Sequence, residues 1–200
     1  MDVDLLFELL RCHSTPGDEG EVAAVLERVW QEAGWAVTRH GQYAVSARRP
    51  TGATYYSLLI TAHMDSPGYT VERRQGDMLR VVPLGGACFD GESTPALLKT
   101  AGGKLPVTLR RKRSGDDEQS IFEVRDPGVP VGHGDRVCFA AEPTVSDDGL
   151  ITSPFLDNRL GCALLCEVAR ALPDEKLPFQ VIVGATASEE FGGFGAAVLA

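Results

Sequence analysis

Five acidic or imidazole side chains occur in three short motifs that lie far apart in the chain. His63 and Asp65 lie in "AHMDS", Asp157 lies in "PFLDN", and Glu189 and Glu190 lie in "ASEEF". An imidazole nitrogen combined with carboxylate oxygens is a ligand set that suits Zn²⁺, Co²⁺ or Mn²⁺. Of two adjacent glutamates, one can bind a metal ion while the other acts as general base on water. The motifs therefore indicate a candidate site for metal-assisted hydrolysis.

Each motif adjoins a predicted strand or helix that could bring it to a common place. The HxD motif follows the apolar run "YYSLLITA", and the glutamate pair follows "QVIVGATA"; both runs are typical of strands buried on both faces. Asp157 opens a helical pattern. Because the carboxyl ends of strands in an open α/β sheet form the rim where ligands bind, we expect the three motifs to meet there.

Each motif taken singly also has a purely structural interpretation. A His two residues before an Asp is consistent with a strand that ends in a polar turn. Asp157 is consistent with an ordinary helix N-cap, and a glutamate pair is favourable charge at the start of a helix. The shared site is favoured because all three motifs occur in one chain, with buried strands leading into two of them.

Helices and strands alternate at both ends of the chain. "DLLFELL" and "DEGEVAAVLERVWQEAG" have helical apolar periodicity, and in the second Asp18 and Glu21 predict a capping box. "WAVTRH" and "QYAVSAR" predict strands around the turn at Gly41. "DNRLGCALLCEVARAL" predicts another helix, and "SEEFGGFGAAVLA" predicts the start of a further one. This alternation is typical of an α/β domain.

The middle of the chain has a different pattern. Short candidate strands alternate with turns rich in Gly, Pro and Asp, and no helical pattern appears, which predicts a small all-β module. We therefore predict one α/β domain, residues 1–65 and 149–200, interrupted by a β-rich insertion at residues 66–148. The charged run "RRKRSGDDEQS" within the insertion predicts a solvated hairpin.

Composition excludes several function classes. A net charge of -9 and a pI near 4.9 disfavour both a general nucleic-acid binder and a polybasic membrane anchor. No apolar stretch is long enough to span a bilayer, and the acidic start "MDVDLL" does not resemble a signal peptide. The five cysteines form no CxxC pair, so we expect no disulfide and a cytoplasmic location. His13, His40 and His133 are expected to be solvated residues at turns or strand ends.

Three longer blocks of sequence surround the candidate residues. They are "LLITAHMDSPGYTV", "GDRVCFAAEPTVSDDGLITSPFLDNRLGCALLCEVA" and "VGATASEEFGGFGA". In order and spacing they resemble the M42 family of dinuclear metallo-aminopeptidases, which includes the glutamyl and deblocking aminopeptidases. The resemblance extends from the first predicted helix to the last residue.

The resemblance implies a fold and a ligand set. The fold would be a three-layer α/β domain of the zinc-exopeptidase type, carrying a PDZ-like or barrel-like β insertion. Two divalent ions are expected, Zn²⁺ or Co²⁺ and alternatively Mn²⁺. His63 would bind one ion, Glu190 the other, and Asp157 would bridge them. Glu189 would be the general base, and Asp65 would orient His63.

The resemblance also implies a reaction and an assembly. The substrate would be a peptide with a free N-terminus, cleaved after its first residue by water. Members of the family commonly form hollow, often dodecameric assemblies through the inserted domain, so we expect a homo-oligomer, and a dodecamer for a full-length protein. A cis peptide bond between Asp157 and Asn158 is expected as well.

The sequence departs from the family pattern after the glutamate pair. The family needs two more ligands, an Asp and a His farther along, and no residue of this chain matches either of them. We expect the C-terminal part of the α/β domain to be missing, which would leave "QVIVGATA" exposed at a sheet edge. The alternative is an inactive, truncated relative that serves as a binding or assembly subunit.

Overall fold

The structure is a computed structural model that describes residues 1–49, 56–114, 119–172 and 177–200. Contacts within the chain divide it into two compact units. The first unit consists of Met1–Ser66 and Glu142–Ala200, and the second consists of Pro67–Ala141. In chain order, the helices and strands are α1 Val3–Arg11, α2 Gly20–Glu32, β1 Ala36–His40, β2 Ala44–Arg48, β3 Ser57–His63, β4 Gly68–Gln75, β5 Met78–Leu84, β6 Ser93–Thr100, β7 Gly103–Ser114, β8 Gln119–Arg125, β9 Arg136–Phe139, β10 Thr144–Val145, β11 Ile151–Thr152, α3 Leu156–Ala171, β12 Gln180–Thr186 and α4 Ala196–Leu199.

A four-stranded sheet forms the centre of the first unit. Its strand order is β1-β2-β12-β3, with β12 parallel to β3 and antiparallel to β2. The expectation that "QVIVGATA" lies at an exposed edge is therefore wrong, because this strand has a hydrogen-bonded neighbour on each side. Strand β3 forms one edge of the sheet instead, and β1 forms the other. The edge position of β3 leaves Leu58 47% and Leu59 37% exposed, so the predicted burial of β3 on both faces is also wrong.

Helices α1, α2 and α3 provide the apolar core beside the sheet. The periodic residues Leu6, Leu9, Leu26 and Trp30 are completely buried, together with Cys162 on α3. Each such large apolar side chain contributes on the order of 1.5–3 kcal/mol by its removal from water. Among the described residues, no helix combines the length and the apolar character needed to cross a membrane.

Helix α2 begins differently from the sequence prediction. Its N-cap is Glu19, and no side chain caps the helix, so the predicted capping box of Asp18 and Glu21 is wrong. Both carboxylates contact His13 instead. Glu21 Oε2 accepts a hydrogen bond from the backbone N–H of His13 at 2.9 Å, and Asp18 Oδ2 lies 3.2 Å from His13 Nδ1. The two carboxylates therefore fix the turn between α1 and α2.

The second unit is a closed β-barrel with strand order β4-β5-β8-β7-β6-β9. Alternate residues point inward and form a separate apolar core that includes Tyr69, Leu98 and Leu109. The described residues of this unit contain no helix, which confirms the predicted β-rich module. Strands β7 and β8 pair as a hairpin, whereas the tip of the charged run, residues 115–118, lies outside the described residues.

Gly195 lies where two backbone segments approach each other closely. A Cβ atom at this position would lie 2.4 Å from Tyr43 O and 2.5 Å from both Ala187 N and Ala187 O. Because backbone atoms cannot move aside easily, we expect Gly195→Ala to lower the free energy of unfolding by about 1–3 kcal/mol. Urea denaturation measures the change. Gly20→Ala is the matched control, since no heavy atom lies within 4 Å of its added Cβ. Equal effects of the two substitutions would contradict the close approach at Gly195.

Candidate metal centre

Two parallel strands bring the first and third motifs together. In the register of β3 and β12, His63 lies opposite Thr186, and the backbone N–H of Met64 donates to Thr186 O at 2.7 Å. The chain segments that follow these strands therefore leave the sheet at the same end. Asp65 comes from one segment, and the glutamate pair comes from the other. The sheet thus performs the positioning that the sequence pattern predicted.

Asp65 is fully buried and joins the two segments. Its Oδ1 accepts a hydrogen bond from the backbone N–H of Glu189, and its Oδ2 accepts one from that of Glu190, both at 3.0 Å. The same carboxylate lies 3.5 Å from His63 Nδ1. Burial alone raises the pKa of Asp65, but His63 and the two backbone donors outweigh it and lower the pKa below the ordinary value. Asp65 is therefore held as a carboxylate.

His63 directs its two ring nitrogens to different carboxylates. Nδ1 faces Asp65, whereas Nε2 lies 3.0 Å from Asp157 Oδ1 and 3.9 Å from Glu189 Oε2. Burial lowers the pKa of His63, but the surrounding carboxylates, Asp65 foremost, raise it to about 9. His63 Nδ1 also lies 3.1 Å from the backbone oxygen of Asp65. Oxygen acceptors on one ring nitrogen are how proteins orient a metal-binding His whose other nitrogen faces the cation.

Asp157 lies at the start of α3 with its side chain 88% exposed. The peptide bond between Asp157 and Asn158 is cis, as the resemblance implied. Asn158 Oδ1 accepts a hydrogen bond from the backbone N–H of Gly161 at 3.1 Å, which ties this start to the next turn of the helix. One oxygen of Asp157 contacts His63, and the exposure of the carboxylate leaves it accessible to a further ligand.

The donor atoms present here fit a divalent cation. One donor atom each from His63, Glu189 and Glu190 lies within 4.8 Å of the others. Burial raises the pKa of Glu190, and the nearby carboxylates of Asp65, Glu189 and Asp157 raise it further, although His63 opposes them. Several carboxylates crowded around one imidazole repel each other, and a bound cation relieves that repulsion.

The remaining histidines and the cysteines lie outside this group. His40 Nε2 lies 2.8 Å from Ser46 Oγ, and His133 is exposed. The expectation that His13 is solvated is wrong, because the contacts with α2 bury it almost completely. Burial raises the pKa values of the Cys162 and Cys166 thiols to about 12, so both stay protonated at neutral pH.

Glu19 and Ser188, which were not among the predicted site residues, also contact this site. Glu19 is almost fully buried, and its Oε1 accepts hydrogen bonds from Ser188 N at 3.1 Å and Ser188 Oγ at 3.3 Å. Ser188 directly precedes the glutamate pair and has a left-handed backbone conformation, with φ of 57°. The acidic run "GDEGE" contains Glu19, but the sequence offers no signal that separates it from its acidic neighbours.

Comparison with known proteins finds similarity to aminopeptidases. A family model described as M42 glutamyl aminopeptidase matches residues 118–200. The glutamyl aminopeptidase of Lactococcus lactis subsp. cremoris is 28% identical over an alignment 220 positions long, gaps included, which covers 98% of this chain and 61% of that protein. This chain thus spans about three fifths of the length of that relative.

Solved structures share the fold. A TET aminopeptidase from a marine-sediment Thaumarchaeota archaeon superposes with a TM-score of 0.86 at 21% identity, over 98% of this chain and 62% of the other. The TET1 peptidase of Pyrococcus horikoshii, described as assembling into a tetrahedron or a large octahedral shell, gives a TM-score of 0.81 at 20% identity. That match covers 98% of this chain and 64% of the other. The α/β fold with an inserted β-barrel is therefore that of these peptidases.

Proposed function

We propose that the chain, which is similar to the M42 family of aminopeptidases, carries part of the metal-dependent site of an aminopeptidase. The observation that supports this most strongly is the convergence of His63, Glu189 and Glu190 within 4.8 Å, with Asp65 buried behind them. The reaction is hydrolysis of the first peptide bond of a substrate with a free N-terminus. The chain spans 61% of its Lactococcus relative, so the whole protein's activity is part of this proposal.

We assign the metal ligands by the chemistry of each side chain. His63 and Glu190 would each hold a divalent cation, and Asp157 would supply a further carboxylate oxygen. Zn²⁺, Co²⁺ and Mn²⁺ all accept such a mixed set of nitrogen and oxygen donors. When bound, these cations polarise the scissile carbonyl and lower the pKa of water. Asp65 keeps the His63 ring oriented, because its carboxylate faces Nδ1 at 3.5 Å.

Glu189 is the proposed general base. Its Oε2 lies 3.9 Å from His63 Nε2, so the carboxylate faces the same space as the ligand nitrogen. The carboxylate accepts a proton from the attacking water and returns it to the nitrogen of the leaving amine. Its backbone N–H is bound to Asp65, which fixes the direction from which the side chain approaches. A positioned base of this kind contributes about 10²–10⁴-fold to a rate.

The charge of the site suits a peptide with a free α-ammonium group. Glu189, whose carboxylate is not assigned to a metal, is 57% exposed and can attract a positive charge at the substrate's N-terminus. A blocked N-terminus carries no such charge. The site therefore favours removal of terminal residues over cleavage within a chain.

A peptidase assay with metal removal tests this proposal. The purified protein is supplied with Leu-, Glu- and Ala-p-nitroanilide and with the N-acetylated form of each. We expect turnover of the free amines, at least tenfold less on the acetylated forms, loss of activity with a chelator and recovery with Zn²⁺, Co²⁺ or Mn²⁺. Activity that survives chelation would refute the metal mechanism. No turnover of any substrate, with metal bound, would favour an assembly or binding subunit.

We also propose that the protein forms a homo-oligomer. Support comes from structural relatives such as the Pyrococcus horikoshii TET1 peptidase, described as a tetrahedron or octahedral shell. Light scattering coupled to size-exclusion chromatography measures the mass of the assembly. A single-chain mass of 21.4 kDa would contradict this part of the proposal.

A further inference from the structure

Three consecutive backbone N–H groups at the end of β12 are held by two buried carboxylates. Asp65 accepts the N–H groups of Glu189 and Glu190, both at 3.0 Å. Glu19 accepts the N–H of Ser188 at 3.1 Å through Oε1. Hydrogen bonds to a buried carboxylate are stronger than bonds between neutral groups. The backbone that carries the glutamate pair is therefore fixed from both ends.

Glu19 holds Ser188 in an unusual conformation. The backbone of Ser188 has a φ of 57°, a left-handed conformation that residues other than Gly adopt at a cost in free energy. Glu19 Oε1 accepts both the backbone N–H and, at 3.3 Å, the hydroxyl of Ser188, so one oxygen fixes the residue at two points. This conformation sets the direction in which the next two residues leave the strand.

Glu19 is itself fixed in place. The same Oε1 accepts the backbone N–H of Gly17 at 2.8 Å, and Glu19 O accepts the N–H of Ala23 at 3.0 Å in the first turn of α2. Helix α2 is anchored in the core by Leu26 and Trp30, which are fully buried. Glu19 therefore transmits the position of a rigid helix to Ser188.

We propose that Glu19 is a positioning residue for the Glu189–Glu190 pair. It acts through Ser188, and no role in proton transfer or metal binding is assigned to it. The proposal rests on the proposed function for its kinetic effect, but its effect on the metal site does not depend on catalysis. A shift of about 1 Å in a positioned catalytic group costs up to about 10²-fold in rate.

Three substitutions of Glu19 distinguish the effect of side-chain length from the effect of side-chain charge. Glu19→Gln keeps an oxygen at the same distance, Glu19→Asp keeps the charge but is one methylene shorter, and Glu19→Ala removes both. We expect kcat to fall about 10- to 100-fold in Glu19→Ala and Glu19→Asp, with KM changed less than about threefold. In Glu19→Gln we expect kcat within about fivefold of the wild type, because the amide oxygen still accepts the Ser188 bonds.

Co²⁺ titration followed by visible absorption provides the readout that is independent of turnover. We expect Glu19→Ala and Glu19→Asp to weaken Co²⁺ binding about tenfold, as happens in metalloproteins that lose a residue holding a metal ligand in place. Glu21→Ala is the matched control. It removes a carboxylate that also accepts one backbone N–H beside the start of α2, but that bond goes to His13. We expect its Co²⁺ affinity and kcat to match the wild type.

The outcomes discriminate clearly. Glu19→Asp equal to the wild type in both readouts would overturn the proposal, as would Glu19→Gln impaired as strongly as Glu19→Ala. If Glu19→Ala does not fold, the comparison of the Asp and Gln variants decides. If the wild type hydrolyses no peptide, the proposed function fails, and the Co²⁺ affinities of the same variants still support or refute the role of Glu19.

Discussion

Glu189→Gln is expected to lower kcat of peptide hydrolysis by about 10²–10⁴-fold, with KM changed by less than about threefold. The glutamine side chain has nearly the same shape as glutamate but cannot accept a proton from water at neutral pH. The backbone N–H of Glu189 remains bound to Asp65, so the loop and its neighbours stay in place. The loss of rate would therefore come from proton transfer. Steady-state kinetics on an aminoacyl-p-nitroanilide measures both constants.

A metal analysis completes this experiment. We expect Glu189→Gln to retain the metal content of the wild type, because His63, Asp157 and Glu190 are the proposed ligands. Glu32→Gln is the control, because Glu32 is exposed on α2 and forms an ion pair with Arg28 at 3.8 Å. Turnover that is unchanged by Glu189→Gln would eliminate Glu189 as the base. Loss of the metal together with the rate would reassign Glu189 as a ligand.

Asp65→Ala is expected to have the largest effect on stability, lowering the free energy of unfolding by about 3–5 kcal/mol. The substitution leaves two backbone N–H groups, those of Glu189 and Glu190, without their acceptor in a buried place. It also removes the carboxylate that faces His63 Nδ1, and metal affinity should fall about 10- to 100-fold as a result. Urea denaturation and metal titration measure the two effects.

Two further variants serve as controls for the effect of Asp65→Ala on stability. Asp147→Ala removes an exposed carboxylate, and we expect a change within about 0.5 kcal/mol. Asp65→Asn keeps the shape and removes the charge. If Asp65→Ala were no more destabilising than Asp147→Ala, the hydrogen bonds from Asp65 to Glu189 and Glu190 would contribute nothing to stability, which would contradict the prediction.

The Asp65 effect should depend on pH in a defined direction. The pKa of Asp65 is lowered in the folded protein, so its ionised form is bound more favourably there than in the unfolded chain. The stability that it contributes is therefore present above pH 3.8 and lost as the pH falls through the lower, folded-state pKa. We expect the difference in unfolding free energy between wild type and Asp65→Asn to be larger at about pH 6 than at about pH 3. A difference in unfolding free energy that grows as the pH falls would contradict the lowered pKa of Asp65.

Some parts of the site were predictable because they depend on local sequence. The apolar runs predicted β3 and β12, and the polar residues directly after them belong to the chain segments that leave the sheet at one edge. His63 and Asp65 are two residues apart, so their pairing needs only the end of one strand. The side-chain types indicated a cation, because imidazole nitrogen and carboxylate oxygen together are a common ligand set for divalent metals.

Other parts depend on contacts between residues distant in sequence. Which of the carboxylates in "GDEGE" is buried was decided by the approach of Ser188, 169 residues after Glu19. Asp18 and Glu21 have the spacing of a capping box, and helix-capping patterns involve only residues within one turn. In the folded chain both of these carboxylates contact His13, which is also why that histidine is buried.

The sequence was sufficient to predict the types and order of the candidate ligands and the alternation of elements that forms an α/β domain with a β insertion. Composition and periodicity encode these properties within short windows. Three features required the folded structure: β12 lies inside the sheet with β3 at one edge, Asp65 binds the backbone of the glutamate pair, and Glu19 holds Ser188. Strand order and buried hydrogen bonds depend on which distant segments pack together, and no local pattern specifies that choice.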